Sequence, residues 1–526
     1  MVFKGNIERI TDRDIRIRLR ASQQNTSVLP LDSRYAIEHD YMDTSFRSMY
    51  LGLSAFLSAN KDRRDLLLSQ REPEFDTSFD ARIVAASDDF SRITLKAQAA
   101  RDYFLLIGPP GTGKTSRALR GMVEAFYREG KQILLLSYTN RAVDEICKTL
   151  SVITPEIDFI RIGSELSCDP PFRSRLIENV LEPCSTRREV HARIERCRVF
   201  VGTVATFSSK TDMFRLKTFD VAIVDEATQI LEPQLLGLLC ARNVVGNNAI
   251  GKFILIGDHK QLPAVVLQSE SQSEVCEECL QSIGLYNLKD SLFERLYRTV
   301  SANHSSPTTQ RFYDMLCRQG RMNVEVARFP NHAFYGGLLE AVGLPHQQGE
   351  LVLAPGLEND EFADVLVSRV AFLPSVPETP SQSAKINHSE AQLTARLAAA
   401  VYRQYEVSGS GFHSALTLGV ITPYRSQIAL IKSEIAALGI PVLNDILVDT
   451  VERFQGSERD VIIYSFCVNR TYQLKFLANL TEERGVWIDR KLNVALTRAR
   501  KQLFMTGVPH LLRQNPIYAD LLDTVL

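Results

Sequence analysis

The five-residue apolar run Tyr103-Phe104-Leu105-Leu106-Ile107 leads straight into Gly108-Pro109-Pro110-Gly111-Thr112-Gly113-Lys114-Thr115, and the helical stretch SRALRGMVEAF follows. This order of strand, glycine-rich loop and helix constrains the fold more than any other feature of the chain. The glycines let backbone N–H groups turn inward at a helix N-terminus, where they and the helix dipole attract phosphate oxygens. Spacing and context both meet the phosphate-loop pattern, so the candidate nucleotide-binding residues are Gly108, Pro109, Gly111, Thr112, Gly113, Lys114, Thr115 and Ser116. Lys114 offers a cation to the β and γ phosphates, and Thr115 offers a hydroxyl to magnesium. Such a loop also needs an acidic residue at the end of a neighbouring strand. DVAIVDEATQ supplies Asp225 for the metal and Glu226 as the candidate base for water. The two motifs together point to nucleotide hydrolysis without giving its purpose.

Around the loop, the runs YFLLIG, QILLLSY, VFVGTV, DVAIVDE and FILIGD alternate with amphipathic stretches, as expected of a parallel sheet buried on both faces. A second set, LTLGVIT, ILVDTV, DVIIYSF and QLFMTG, follows a polar link at 301–309 and a Pro/Ser-rich stretch at 374–383. At 526 residues the chain is too long for one core. The expected architecture is α/β with two tandem phosphate-loop-type domains. Residues 1–90 form a small N-terminal β-barrel and helical stalk, 91–305 the first domain with a charged helical insert at 164–197, and 306–526 the second. Alternation of Ile15, Ile17 and Leu19 with Arg16, Arg18 and Arg20 predicts a half-buried strand. The helical stretch 43–72 carries a basic patch at Lys61, Arg63 and Arg64, which reads equally as a solvated face or a nucleic-acid contact.

The formal net charge of −1 excludes a global polycation, so any nucleic-acid contact must come from a local groove. Nine scattered cysteines and the lack of an apolar stretch after Met1 argue against a secreted, disulfide-stapled protein and for a reducing, cytoplasmic setting, nucleoid-associated in a bacterium or nuclear in a eukaryote. The apolar runs fall far short of a membrane span. Cys276 and Cys279 form one isolated CxxC, which reads as a surface loop with two thiols and not as a zinc site.

DEATQ at 225–229, GDHKQLP at 257–263 and NVALTRAR at 493–500 resemble superfamily 1 helicase motifs in their order. QGRMNVEVARFPNHAFYGGLL at 319–339 and SYTNRAVDEI at 137–146 are similar to the 5′-to-3′ branch that holds the nonsense-mediated-decay RNA helicase and the replication nuclease-helicase. Gly320 stands where that branch has Tyr, and Asn323-Val324 where it has His-Pro. The resemblance implies tandem RecA-like domains, ATP with magnesium in the cleft between them, and 5′-to-3′ travel on single-stranded nucleic acid, with DNA favoured over RNA. It implies that Gln261 senses the γ-phosphate and that Arg321 and Arg498 reach it as guanidinium fingers. It also implies that Tyr424 stacks on the adenine, that Gly456 and Glu458 lie by the ribose, and that Thr139, Asn140, Thr203, Thr206 and Thr450 contact the strand, with Phe207 as a stacking supplement. The family's upstream adenine-reading Gln is not evident, since Gln98 lies nearer the phosphate loop than that residue does. About 100 residues before the loop leave no room for the replication enzyme's nuclease domain, so neither strand cutting nor an iron-sulfur cluster is expected. Two rivals remain: an RNA helicase or ribonucleoprotein remodeller, and a non-catalytic nucleic-acid-binding scaffold. Protein loading partners are compatible with each reading.

Overall fold

The computed structural model describes residues 5–19, 34–37, 44–266, 268–302, 309–378, 384–483 and 485–525. Strands β1 (Gly5–Ile10) and β2 (Ile15–Leu19) pair antiparallel. Where the alternating pattern predicts a half-buried strand of a small barrel, the described residues give a two-stranded hairpin with Ile7 54% and Ile17 38% exposed. Arg20 lies outside the described residues. Helices Thr44–Ser58 and Lys61–Leu67 follow. Gly52 and Gly237 bring the first of these backbone-to-backbone against the helix Glu232–Leu239, since a Cβ on Gly52 would run into Pro233 O. Of the three residues of the basic patch only Arg63 is buried. Arg63 is buried and donates to Ile250 O at 2.8 Å and Gly251 O at 2.7 Å, Lys61 pairs with Asp65, and Arg64 donates to Leu57 O at 2.8 Å.

The first domain is built on β3 (Tyr103–Ile107), β4 (Ile133–Ser137), β5 (Phe159–Ile162), β6 (Val199–Thr203), β7 (Phe219–Asp225), β8 (Ile250–Gly257) and β9 (Tyr313–Met315). They form one parallel sheet of order β5-β6-β4-β7-β8-β3-β9. Its apolar runs are continuous because both faces are covered. Leu105, Ile107, Leu134 and Leu136 enter one core, while Phe104, Leu106, Ile133 and Leu135 enter the other. Each fully buried aliphatic contributes about 1.5–3 kcal/mol. Between β5 and β6 the chain forms the helices Ile177–Leu181 and Arg187–Arg196 with two short 3-10 turns. A Thr186–Glu189 capping box starts the second helix. The first sheet also reaches past residue 305, because Leu105, Leu106 and Ile107 of β3 pair with Tyr313, Asp314 and Met315 of β9.

Short strands β10 (Arg318–Gln319) and β11 (Glu340–Ala341) pair next to this junction. The second domain's sheet comprises β12 (Val370–Pro374), β13 (Leu418–Ile421), β14 (Leu447–Asp449), β15 (Arg459–Ser465) and, beyond a β16–β17 hairpin (Leu480–Glu483, Val486–Asp489), β18 (Ala499–Gly507). The sheet is parallel, of order β12-β18-β15-β13-β14. Ionic and polar bonds join the domains. Arg490 pairs with the buried Glu294, and His259 Nε2 lies 3.1 Å from Glu483 Oε2. With His259 and Lys260 beside it, Glu483 is held down to about 2 despite burial. Among the described residues no helix is long and apolar enough to cross a membrane.

Candidate nucleotide site and nucleic-acid face

The phosphate loop leaves β3 and turns through Gly111 (φ +74°) and Gly113 (φ +79°), a backbone that L side chains rarely adopt. Thr112 Oγ1 donates to Pro109 O at 2.7 Å and closes the turn from inside. The Lys114 stem folds back over Gly108, where a Cβ would meet its Cβ at 2.7 Å. Ser116 is exposed at the mouth of a cleft of about 2100 Å³ between the domains, which the whole loop from Pro109 onward lines.

The acidic strand end meets this loop. Thr115 Oγ1 donates to Asp225 Oδ2 at 2.6 Å, and Lys114 Nζ lies 2.5 Å from Glu226 Oε1. Glu226 sits at φ +55°, a conformation costing about 1–3 kcal/mol for a non-glycine residue, and Gln229 Nε2 steadies its Oε2 at 2.8 Å. Burial alone would raise Glu226, but Lys114 outweighs it and holds the carboxyl below its ordinary value. Burial, with Glu226 adjacent, raises Asp225. Lys114 is raised, because the two carboxylates overcome its desolvation. The hydroxyl and carboxylate of Thr115 and Asp225 fit a magnesium ion, which needs one or two protein oxygens and takes its remaining ligands from water and phosphate.

Across the cleft Arg498 Nη2 donates to Gln261 Oε1 at 2.9 Å. The contact belongs to a buried chain. Gln261 Nε2 and Tyr335 Oη both donate to Asp258 Oδ2 at 2.7 Å, and Asn493 Nδ2 reaches Tyr335 Oη at 2.8 Å and Lys260 O at 2.6 Å. Arg498 also donates to Val494 O at 3.0 Å. Burial and the neighbouring Arg321 push it down to about 9, so it stays charged at neutral pH. Arg321 is seated at the junction of the domains. Gly320 N donates to Gly111 O at 2.9 Å, and a Cβ on Gly111 would collide with Arg321 Cβ. Arg321 Nε pairs with Glu458 Oε2 at 2.6 Å, so Glu458 lies in the cleft as the partner of Arg321. Gly456 (φ +73°) lines the same wall.

Tyr424 is elsewhere. It follows β13, which ends at Ile421, as the N-cap of the helix Arg425–Ala437, accepts from Gln473 Nε2 at 3.2 Å, and does not line the cleft where adenine stacking is expected. Thr422, Pro423 and Tyr424 follow β13, and Thr450 follows the neighbouring strand β14. Gln98 bonds Glu129 and also lies outside the cleft. Residues outside the expected site set also line it: Phe90, Arg117, Tyr138 and Arg318. Arg117 lies over the Phe90 ring at 5.3 Å, a pair without a sequence signature because its members come from two separate helices.

The expected strand-contacting residues sit at carboxyl ends of strands, and most are also helix caps. Thr139 after β4 accepts from Ala142 N at 3.2 Å, and Asn140, exposed, begins that helix. Thr203 at the end of β6 accepts from Thr206 N at 3.1 Å, with the two hydroxyls 2.7 Å apart. Thr450 follows β14 as the N-cap of Val451–Phe454. Thr203 is buried, so capping is its structural role. Phe207 is fully buried against Gly202 and Phe214 and cannot stack on a base. Tyr138, 40% exposed, is an aromatic that faces the cleft.

Two AAA domain models match the chain, one over residues 87–194 and 184–269 and one over 288–510. The DNA replication ATP-dependent helicase/nuclease JHS1 of Arabidopsis thaliana is 28% identical over 529 residues, covering 97% of this chain and 36% of that protein. The DNA replication ATP-dependent helicase/nuclease DNA2 of Bos taurus is 28% identical over 531 residues, covering 94% and 45%. The chain thus spans less than half the length of these relatives. Among solved structures, arterivirus nonstructural protein 10 (helicase) in complex with DNA overlays with a TM-score of 0.37 at 14% identity, covering 80% of this chain and 63% of that one.

Proposed function

We propose, from the premise that this chain is a superfamily 1 helicase core similar to the replication helicase/nucleases, that it couples ATP hydrolysis to 5′-to-3′ movement along single-stranded DNA. The observation that carries the reading is the Arg498–Gln261 bond, which ties a second-domain guanidinium to a first-domain loop beside Glu226 and Lys114. ATP supplies the phosphoanhydride bond, and Thr115 and Asp225 hold magnesium. Lys114 exchanges its pairing with Glu226 for phosphate oxygens. Glu226, relieved of that partner and oriented by Gln229, accepts a proton from water. Arg498 and Arg321 stabilise the charge that develops on the phosphoryl group, Arg321 leaving Glu458 to do so.

Gln261 is the coupling residue. Its carbonyl accepts from Arg498 and its amide donates to Asp258, which also accepts from Tyr335 of the second domain. A change at the phosphate therefore alters two bonds that set the domains' relation. Thr139, Asn140, Thr206 and Thr450 stand at the carboxyl ends of strands in both sheets and contact the track, Thr203 supporting Thr206 from beneath.

The reading is tested with biotinylated oligonucleotides carrying streptavidin at either end. Displacement from the 3′ end only, with DNA stimulating hydrolysis at least tenfold more than RNA, is the expected result. Displacement from the 5′ end overturns the polarity, and stimulation by RNA alone favours the ribonucleoprotein remodeller.

A further inference from the structure

Glu226, Gln261 and Arg498 mark the hydrolytic part of the cleft, and Phe90, Arg117, Gly320 and Leu344 line it as well, Arg117 three residues after Lys114 and Gly320 N donating to Gly111 O at 2.9 Å. Arg117 is exposed in the first turn after the phosphate loop, and its guanidinium lies over the Phe90 ring, which itself rests partly on the first domain's core. A guanidinium over an aromatic ring leaves its outer face open for stacking. Opposite, Gly320 has no side chain, and a Cβ there would already stand 3.3 Å from Leu344 Cδ1. Val342 and Leu344 line the cleft beside it.

Several polar groups beside Phe90 and Arg321 are committed to the protein. Asp88 Oδ1 accepts from Phe90 N at 2.9 Å and Ser91 N at 3.0 Å, and its Oδ2 accepts from Ser91 Oγ at 2.6 Å. Arg92 Nη1 holds Asp89 Oδ1 at 2.6 Å, and His346 Nε2 lies 2.9 Å from Arg321 O. Phe90, Arg117, Gly320 and Leu344, with Asp88, Asp89, Arg318 and His346 beside them, include no side-chain amide, the group that pairs two-fold with the amino and ring nitrogens of adenine; the amides of the cleft are Gln229, Gln261, Asn287, Gln455 and Asn479.

We propose that Arg117, backed by Phe90, holds the nucleobase by stacking alone and that the enzyme does not select its base. GTP, CTP and UTP then bind and are hydrolysed alongside ATP, because every base has a π face. Arg117 and Phe90 are affinity-setting residues, while the phosphate contacts supply the rest of the binding.

The inference rests on reading the cleft as an ATP site, and one set of measurements separates the two. Dissociation constants are measured by fluorescence anisotropy with ribose-labelled, non-hydrolysable analogues of the four nucleotides on the full chain, and kcat and KM for each nucleotide are measured with single-stranded DNA. The four dissociation constants should agree within about fivefold. Arg117→Ala should weaken the purine analogues about tenfold with kcat within twofold, and Arg117→Lys should behave like Ala, because stacking needs the plane and not the charge. Selectivity for the adenine analogue above fiftyfold overturns the proposal, as does wild-type affinity in Arg117→Lys, which would place the cation on a phosphate. Failure to bind any of the four overturns the ATP-site reading itself.

Discussion

Replacing Arg498 with Ala removes a side chain that is 2% exposed and donates to Gln261 Oε1, to Val494 O and, at 3.4 Å, to Ser457 O. Two effects follow, and their sizes differ. An arginine finger that meets the charge developing in phosphoryl transfer is worth about 10³–10⁵ in kcat, so a drop of at least 10³ is expected, about 4 kcal/mol of transition-state stabilisation. KM for ATP should move by less than tenfold, since Lys114 and the loop amides hold the ground-state phosphates. The stability loss is smaller, about 2–3 kcal/mol, because the three acceptors left without this donor lie between domains that each keep their own core. The assay is steady-state hydrolysis with saturating single-stranded DNA, paired with a thermal melt. Arg498→Lys, which keeps a charge but loses the planar fork, should recover folding and less than a tenth of kcat. A folded Ala variant whose kcat falls less than tenfold would refute the finger assignment and leave Arg498 as a strut between the domains.

Three further outcomes are expected. Tyr424→Ala should leave KM for ATP within twofold of wild type, measured by the same assay, because the ring lies outside the cleft. Gly111→Ala forces an L side chain to φ +74° and into Arg321, and should weaken nucleotide binding more than tenfold in equilibrium titrations. The third concerns Glu390, buried in the second domain, where it accepts from Ser465 Oγ at 2.8 Å and Cys467 N at 2.9 Å and is raised by burial from 4.5 to about 7. The folded state therefore holds a proton that the unfolded state has released between pH 4.5 and 7, so this group's contribution to stability falls as pH rises through that window, by about 3 kcal/mol. Melting temperatures of wild type and Glu390→Gln across pH 5–8 should converge at the acidic end and separate above neutrality, and parallel curves would contradict the assignment.

The strands legible in the sequence were those with long apolar runs. β3, β4, β6, β7 and β8 fall where continuous hydrophobicity places them, and β13, β14, β15 and β18 repeat that pattern in the second domain. β5 escaped because FIRI is short and carries Arg161, whose burial is made tolerable by Asp144 on another helix. β9 escaped because three half-buried residues, Tyr313–Met315, have no periodicity to read, and its pairing with β3 moves the end of the first sheet past the polar link. In the site, the residues within contiguous motifs came together as the motifs imply. Those that depend on packing between separate elements did not announce themselves. Tyr424 and Phe207 are aromatic in the right motifs, yet which face a ring presents is decided by its neighbours: Gln473 for one, Gly202 and Phe214 for the other. Arg63, read as part of a basic patch, is drawn inward by two carbonyls 187 and 188 residues away in sequence.

The central claim, that hydrolysis is performed by Glu226 in a cleft governed by nucleic acid, is tested most directly by steady-state ATP hydrolysis with and without a single-stranded DNA oligomer, for wild type and Glu226→Gln side by side. The account predicts strong stimulation of wild type by DNA and a loss of at least 10²-fold in the variant with ATP binding retained. Equal rates with and without DNA, or a variant as active as wild type, would contradict it and favour a nucleic-acid-binding scaffold.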